Sequence, residues 1–491
     1  MLRRLPFPCR ASAFALALRL LAVLMTTHLG IGLDDMFQYD MLARSLAAGQ
    51  GYRWYAPPDA ELLAPYLGLS ADELGLDPRG TLTTFRAPLY PGILALVYIV
   101  FGAGEQRFLA ARLVQAVLLA TCAPLTYWIA RRILGSSGVG QQVGERAARA
   151  SALVVAAYPM LIVYPLGLAT ENLFLPLVLA SFLVLVDLSA ALRRRGGSGP
   201  SARRPTWLAV LAGILLGLSA LTRSIILPFG LLAGLWLWLY LGRIRHALLL
   251  WLALLCTVTP WIVRNSMLAG RLTGVETSMG YNLYLGYHPA SDGSFIFGPS
   301  LDLLRIVDDV ERERVATDMA WNFIRSAPAR VPGLALSRLG HFFDLEWRAF
   351  TYFYANGLLG ALSPPILVMI LLALALPFAA ITISGLVGAA ALEHSPERTL
   401  LFGLAGAYIL PHILILSEER FHLLLVPFLA MLAAAAWAMT PGAREGFSPR
   451  KWVLASGIAL LGVNWVLQFA RSLPTLTLLL GPGGNRLYLP Y

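Results

Sequence analysis

Apolar runs near 20 residues in length recur from one end of the chain to the other, divided by short turns rich in arginine. Runs of that length match the thickness of a bilayer's hydrocarbon core, which a helix of ~20 residues crosses. They predict an all-α polytopic membrane protein. Five basic clusters punctuate the runs: Arg3, Arg4 and Arg10; Arg131, Arg132, Arg146 and Arg149; Arg193 to Arg195 with Arg203 and Arg204; Arg243 and Arg245; Arg444, Arg450 and Lys451. Positive charge stays on the cytoplasmic side, so an even number of spans must separate each cluster from the next. That parity gives eleven spans, over 11–31, 107–130, 149–166, 173–192, 207–222, 226–242, 247–265, 362–390, 400–416, 423–440 and 452–470, with the N-terminus inside and the C-terminus outside. The first run has a basic start and no small-residue cleavage site, and therefore reads as an uncleaved anchor. Arg19 within it must face other helices or snorkel. The run over 88–102 opens with Pro88 and Pro91 and is too short to cross, so it is expected to lie in or dip into the outer leaflet. Pro377 is expected to bend the long run over 362–390.

The same map divides the chain. Residues 1–31 hold the first span, 32–106 an outer segment with juxtamembrane helices, and 107–265 spans two to seven. Residues 266–358 form a long outer loop, 359–470 carry spans eight to eleven, and 471–491 an outer tail. Charge patterning from Asp302 to Arg314, with Trp321, Ile324 and Arg325 at helical spacing, predicts surface helices in the long loop. No internal repeat is visible.

Composition changes the picture in two ways. A chain of 491 residues would ordinarily suggest about three soluble domains. At 58% hydrophobic, 13% charged and mean hydropathy +0.68, it excludes them. The net charge of +11 invites a nucleic-acid partner, but the arginines sit in turns between apolar runs, where membrane topology accounts for them. Cys9, Cys122 and Cys256 lie in or beside apolar segments and form no motif, so neither a disulfide nor a zinc site is implied.

Charges retained at the edge of hydrocarbon are costly and mark candidate sites. Parity places the candidates on one side, the outer boundary. They are Asp34 and Asp35 after the first span, Arg86 before the short run, and Glu171 with Asn172 between spans three and four. Arg223 lies in a tight outer turn; Arg264 closes span seven, with His288 beyond; Glu418, Glu419, Arg420 and His422 form SEERFH. Carboxylates can deprotonate a hydroxyl acceptor or hold a divalent metal that does so, though the ligand set is too thin to define a metal. Arginines bind a departing phosphate. The mixture suggests transfer of a group from a lipid phosphate. Plainer roles compete at each position: Asp34 and Asp35 as span-end acids, Glu171 as a helix-start acid, Arg264 as a snorkelling side chain, His288 as a loop histidine. Tyr281 and Tyr284 read as packing aromatics.

At these residues the chain resembles the membrane-embedded GT-C glycosyltransferases, in the protein O-mannosyltransferase and aminoarabinose transferase-like branch. The resemblance rests on DDMFQYDMLARSLAAGQGY, FRAPLYPGILALVYIVFG, ATENLFLPLVLA, GLSALTRSIILPF, PWIVRN with GYNLYLGYHP, and ERFHLLLVPFLAMLAA, in that order. It implies a GT-C-like bundle with outer-face juxtamembrane helices and a polyprenyl-phosphate-linked sugar donor. The acceptor would be a glycan, lipid or protein. By this resemblance Asp35, with Asp34, matches the first acidic motif and Glu171 the second. Arg86, Arg223 and Arg420 match basic residues near the donor phosphate, and Tyr39 helps set the register of the first motif. Asn172, Arg264, His288 and Glu419 complete the expected binding set. The expected setting is the inner (plasma) membrane with the site facing outward, and no nucleic acid as partner. A transporter or flippase of lipid-linked sugars is the alternative; it would call for ionisable groups at the bilayer midplane and inverted repeats.

Overall fold

The computed structural model describes residues 5–32, 34–67, 77–136, 140–193, 200–357, 359–439 and 448–487. The described residues are helical apart from one small ribbon, Arg53–Trp54 paired antiparallel with Thr81–Leu82. A helix underlies each of the eleven apolar runs. Six are long and apolar enough to cross a membrane: Phe7–Met25, Arg107–Gly135, Glu171–Arg193, Ile244–Ala269, Pro364–Ala391 and Trp452–Leu480. A seventh qualifies if Gln141–Ala157 and Pro159–Leu166, bent by 51°, count as one span. The other runs fall on the helices Pro200–Ala220, Pro396–Leu414 and Val426–Ala438 and on the shorter apolar segment Ser224–Tyr240. The Pro88 run is the 13-residue helix Leu89–Phe101, about 20 Å long at 1.5 Å per residue and short of the core thickness. Pro377 lies inside one continuous helix, Pro364–Ala391.

The break after Ala157 explains Arg19. Pro159 has no N–H, so the carbonyl of Val155 loses its helical donor, and the chain turns before Ala156 regains one. Arg19 is fully buried and donates to Ala156 O at 3.0 Å and Val155 O at 3.4 Å. The arginine faces protein, as a charge among apolar helices must.

Small residues let helices approach closely. A side chain at Gly213 would meet Leu250 O at 2.3 Å, which fixes Pro200–Ala220 against Ile244–Ala269. One at Gly388 would meet Leu432 O at 1.9 Å, which does the same for Pro364–Ala391 and Val426–Ala438. The helix Ser448–Leu480 turns Val453, Leu460, Val463 and Val466 outward, an apolar face suited to lipid.

Five helices lie within residues 271–357: Met279–Tyr287, Phe297–Leu304, Asp309–Ser326, Arg330–Phe342 and Arg348–Ala355. With the helix Asp35–Ala47 they gather at the end of the bundle where Glu171, Arg223 and Arg420 begin or end their helices. Arg338, fully buried, ties this layer down by donating to Gly286 O at 2.7 Å and Leu414 O at 2.9 Å.

Candidate active site

Five chain segments converge at this end of the bundle. Asp34 is the N-cap of helix Asp35–Ala47; its carboxylate accepts from Met36 N at 2.8 Å and leaves Asp35 in the first turn. Arg86 lies between the ribbon and helix Leu89–Phe101. Its backbone is held by the Tyr52 hydroxyl, which donates to Arg86 O at 3.0 Å. Leu89 N donates to Leu221 O at 2.9 Å, joining that segment to the turn that carries Arg223. Glu171 opens helix Glu171–Arg193, Arg223 is in extended backbone, and Arg420 belongs to the 3-10 turn Glu419–Leu424.

Their side chains form a chain of ion pairs. Arg86 pairs with Asp35 and donates through Nε to Gln38 at 2.8 Å, with its guanidinium 5.5 Å from the centre of the Tyr39 ring. Arg420 reaches the other Asp35 oxygen at 3.5 Å and Glu418 at 2.6 Å. Arg348 closes on Glu418 at 3.5 Å. Arg223 pairs with Glu171 and also reaches the Thr170 hydroxyl at 3.4 Å, stacked 5.2 Å from the Phe421 ring centre. Asp35 is 35% exposed and Glu171 8%, so Asp35 is the carboxylate open to a visiting group.

Burial and neighbours set the titration of the acids outside the spans. Burial works against the Asp35 charge, but Arg86, Arg420 and Arg223 outweigh it and hold the carboxyl below the usual range. Burial, then the charge of Asp35 next to it, pushes Asp34 up to about 6. Burial pushes the Tyr39 hydroxyl up to about 12, so it stays protonated under Arg86.

Asp34, Asp35, Tyr39, Arg86, Glu171, Arg223 and Arg420 are therefore brought together. The other expected binders bond to neighbouring parts of the protein. Asn172 is fully buried and donates to Gln115 at 3.0 Å and to Ala169 O at 3.1 Å. Arg264 donates to Thr83 O at 2.6 Å and sits 4.7 Å from the Trp261 ring centre. His288 accepts from Ala290 N at 3.1 Å and packs on Tyr284 and Phe323. Glu419 accepts from Arg348 N at 2.7 Å. His422 lies inside the bundle, 2.8 Å from Glu346.

Three site residues escaped the sequence reading: Gln38, Arg348 and Glu276. Gln38 lies one turn beyond Asp35, a spacing the sequence does show. Glu276 binds the hydroxyl of Ser224, next to Arg223, and its charge is felt at Arg86. Among the described residues no group of three or more His, Cys, Asp or Glu converges to hold a metal ion.

An apolar cavity of about 410 Å³ is lined by Pro228, Leu283, Trp321, Leu410, Pro411 and Ile415 among others, and none of the ion-paired residues is in its wall. Pro228 follows Arg223 by five residues and Ile415 precedes Arg420 by five. Trp321 and Leu410 are exposed, so the cavity opens to the surface.

No protein-family model matches the chain, and no curated protein matches it by sequence. Solved structures similar to it include oligosaccharyltransferases and ArnT. The apo oligosaccharyltransferase of Archaeoglobus fulgidus shares 17% identity at a TM-score of 0.48, over 99% of this chain and 56% of that one. The oligosaccharyltransferase AglB of the same organism, solved with an inhibitory peptide and dolichol-phosphate, shares 14% at 0.45, over 95% and 55%. ArnT from Cupriavidus metallidurans bound to undecaprenyl phosphate shares 15% at 0.39, over 87% and 77%. The chain thus spans little more than half the length of the oligosaccharyltransferases. At these identities and scores the likeness assigns no residue of this chain a role.

Proposed function

We propose that the protein is a membrane glycosyltransferase that moves a sugar from a polyprenyl-phosphate donor to an acceptor hydroxyl on the non-cytoplasmic side. The observation that carries this is the convergence of Arg86, Arg223 and Arg420 on Asp35 and Glu171. Arginine forks suit a phosphate, and the apolar cavity walled by Pro228 and Ile415, each five residues along the chain from one of these arginines, suits an isoprene tail.

Asp35, the more exposed acid, takes the proton of the acceptor hydroxyl. The oxygen forms a bond to the anomeric carbon as that carbon's bond to the phosphate oxygen breaks. The electron pair leaves on the phosphate, where Arg223 and Arg420 stabilise it. A single displacement of this kind inverts the anomeric centre. Arg86 holds Asp35 ionised, and Glu171 orients Arg223. The parity of the basic clusters supports an outward-facing site in a plasma membrane.

Native mass spectrometry tests the donor class. Protein purified from the producing membrane should carry a polyprenyl phosphate, and Arg223→Gln with Arg420→Gln should lose it. Retention of the lipid by the doubly substituted protein would contradict the reading.

A further inference from the structure

The guanidinium groups that would receive phosphate are engaged by carboxylates. Arg223 is on Glu171, and Arg420 is shared between Asp35 and Glu418. Resting on the reading above, we infer that the donor phosphate and these acids compete for the same guanidinium groups. The donor's arrival draws Arg420 from Asp35 and Arg223 from Glu171, and Asp35 becomes a working base only when the donor is in place.

Two features favour the exchange. The donor's phosphodiester brings one charge and two free oxygens to a guanidinium fork, a match for a carboxylate, and the phosphate monoester left as the sugar departs brings about two charges and three acceptor oxygens, more than a carboxylate offers. Each acid also keeps a second support once its arginine has moved. Glu171 stays in the first turn of a helix, where the dipole favours negative charge, with the Thr170 hydroxyl at 3.2 Å. Asp35 keeps Arg86 and its own helix N-terminus. Glu418 keeps Arg348. The exchange therefore strands no carboxylate. It orders the reaction, donor before acceptor, because proton affinity at Asp35 rises as Arg420 turns to the phosphate. By reciprocity, whatever lowers the acids' charge must strengthen phosphate binding by the same factor.

A purely structural role has the opposite sign. If Glu171 only held Arg223 in the geometry phosphate needs, removing its charge would loosen Arg223 and weaken binding. Calorimetry with farnesyl monophosphate and the full chain in detergent, at about pH 7.5 where the phosphate is mostly a dianion, separates the two. Glu171→Gln and Asp35→Asn should each bind about fivefold tighter or more than the wild type. The gain from Glu171→Gln should vanish when Arg223→Gln is added. Monodisperse elution and a wild-type melting temperature establish folding for each variant; Asp35, half-exposed, carries the test should Glu171→Gln not fold. Equal or weaker binding by a folded variant overturns the exchange. A wild type that binds no farnesyl monophosphate would instead contradict the proposed function.

Discussion

Arg86→Gln should move the acid limb of the transfer reaction toward neutral pH. Arg86 pairs directly with Asp35, which is 35% exposed while the arginine is 17% exposed. A charge pair near 4 Å contributes about 4 kcal/mol at the effective dielectric of a protein surface and about 1 kcal/mol in water. With this exposure we take about 2 kcal/mol, equivalent to about 1.5 pH units at about 1.4 kcal/mol per unit. In the wild type, burial is outweighed by Arg86, Arg420 and Arg223, so Asp35 stays ionised below the ordinary carboxylate range. With the donor in place, an acid held low accepts a proton above that pH and loses this capacity as pH falls through its pKa. Removing Arg86 leaves burial less opposed, so that failure begins about 1.5 units higher. The assay is the pH dependence of kcat/KM for sugar transfer. It is best run in an Asp34→Asn background, because Asp34 titrates at about 6 and asparagine preserves the N-cap. A constant fractional loss of rate at every pH, with the acid limb unmoved, would refute Asp35 as the titrating base.

Other consequences concern the scaffold. Arg19→Met should lower the melting temperature measurably, because it strips the carbonyls of Val155 and Ala156 of their donor at about 1 kcal/mol or more each; Arg10→Met, at an exposed position, should not. Differential scanning fluorimetry reads both. His341 lies between Asp292 at 3.2 Å and Asp344 at 3.0 Å; burial opposes its charge, but the two carboxylates raise it to about 9. A raised histidine stabilises fully below its unfolded pKa near 6.5 and stops doing so as pH rises through the folded one. The melting temperature of the wild type should therefore fall between about pH 7 and about pH 9, and His341→Gln should flatten that fall.

The helices were legible because hydrocarbon leaves the backbone little choice but to bond within itself. Their ends were less so. The helix under the 149–166 run begins at Gln141, since Glu145 neutralises Arg149 at 2.8 Å and Arg131 at 3.5 Å and lets a charged stretch join the helix. Asp35, Arg86, Glu171, Arg223 and Arg420 stood out as charges at apolar boundaries. Arg264, Asn172 and His288 gave the same signal, yet each bonds to neighbouring backbone, a bond that leaves no mark in composition or spacing. Arg348 and Glu276 lie in the long segment after Ala269, where charge is ordinary, and only the fold brings them to the arginine cluster.

Sugar transfer from a radiolabelled undecaprenyl-phosphate sugar to a lipid or glycan acceptor, measured in proteoliposomes, addresses the central claim most directly. The wild type should transfer, and Asp35→Asn should lose about a hundredfold or more in kcat while remaining folded. Arg223→Gln should lose a similar factor through its hold on the departing phosphate. Full transfer by both folded variants would show that the chemistry lies elsewhere in the protein.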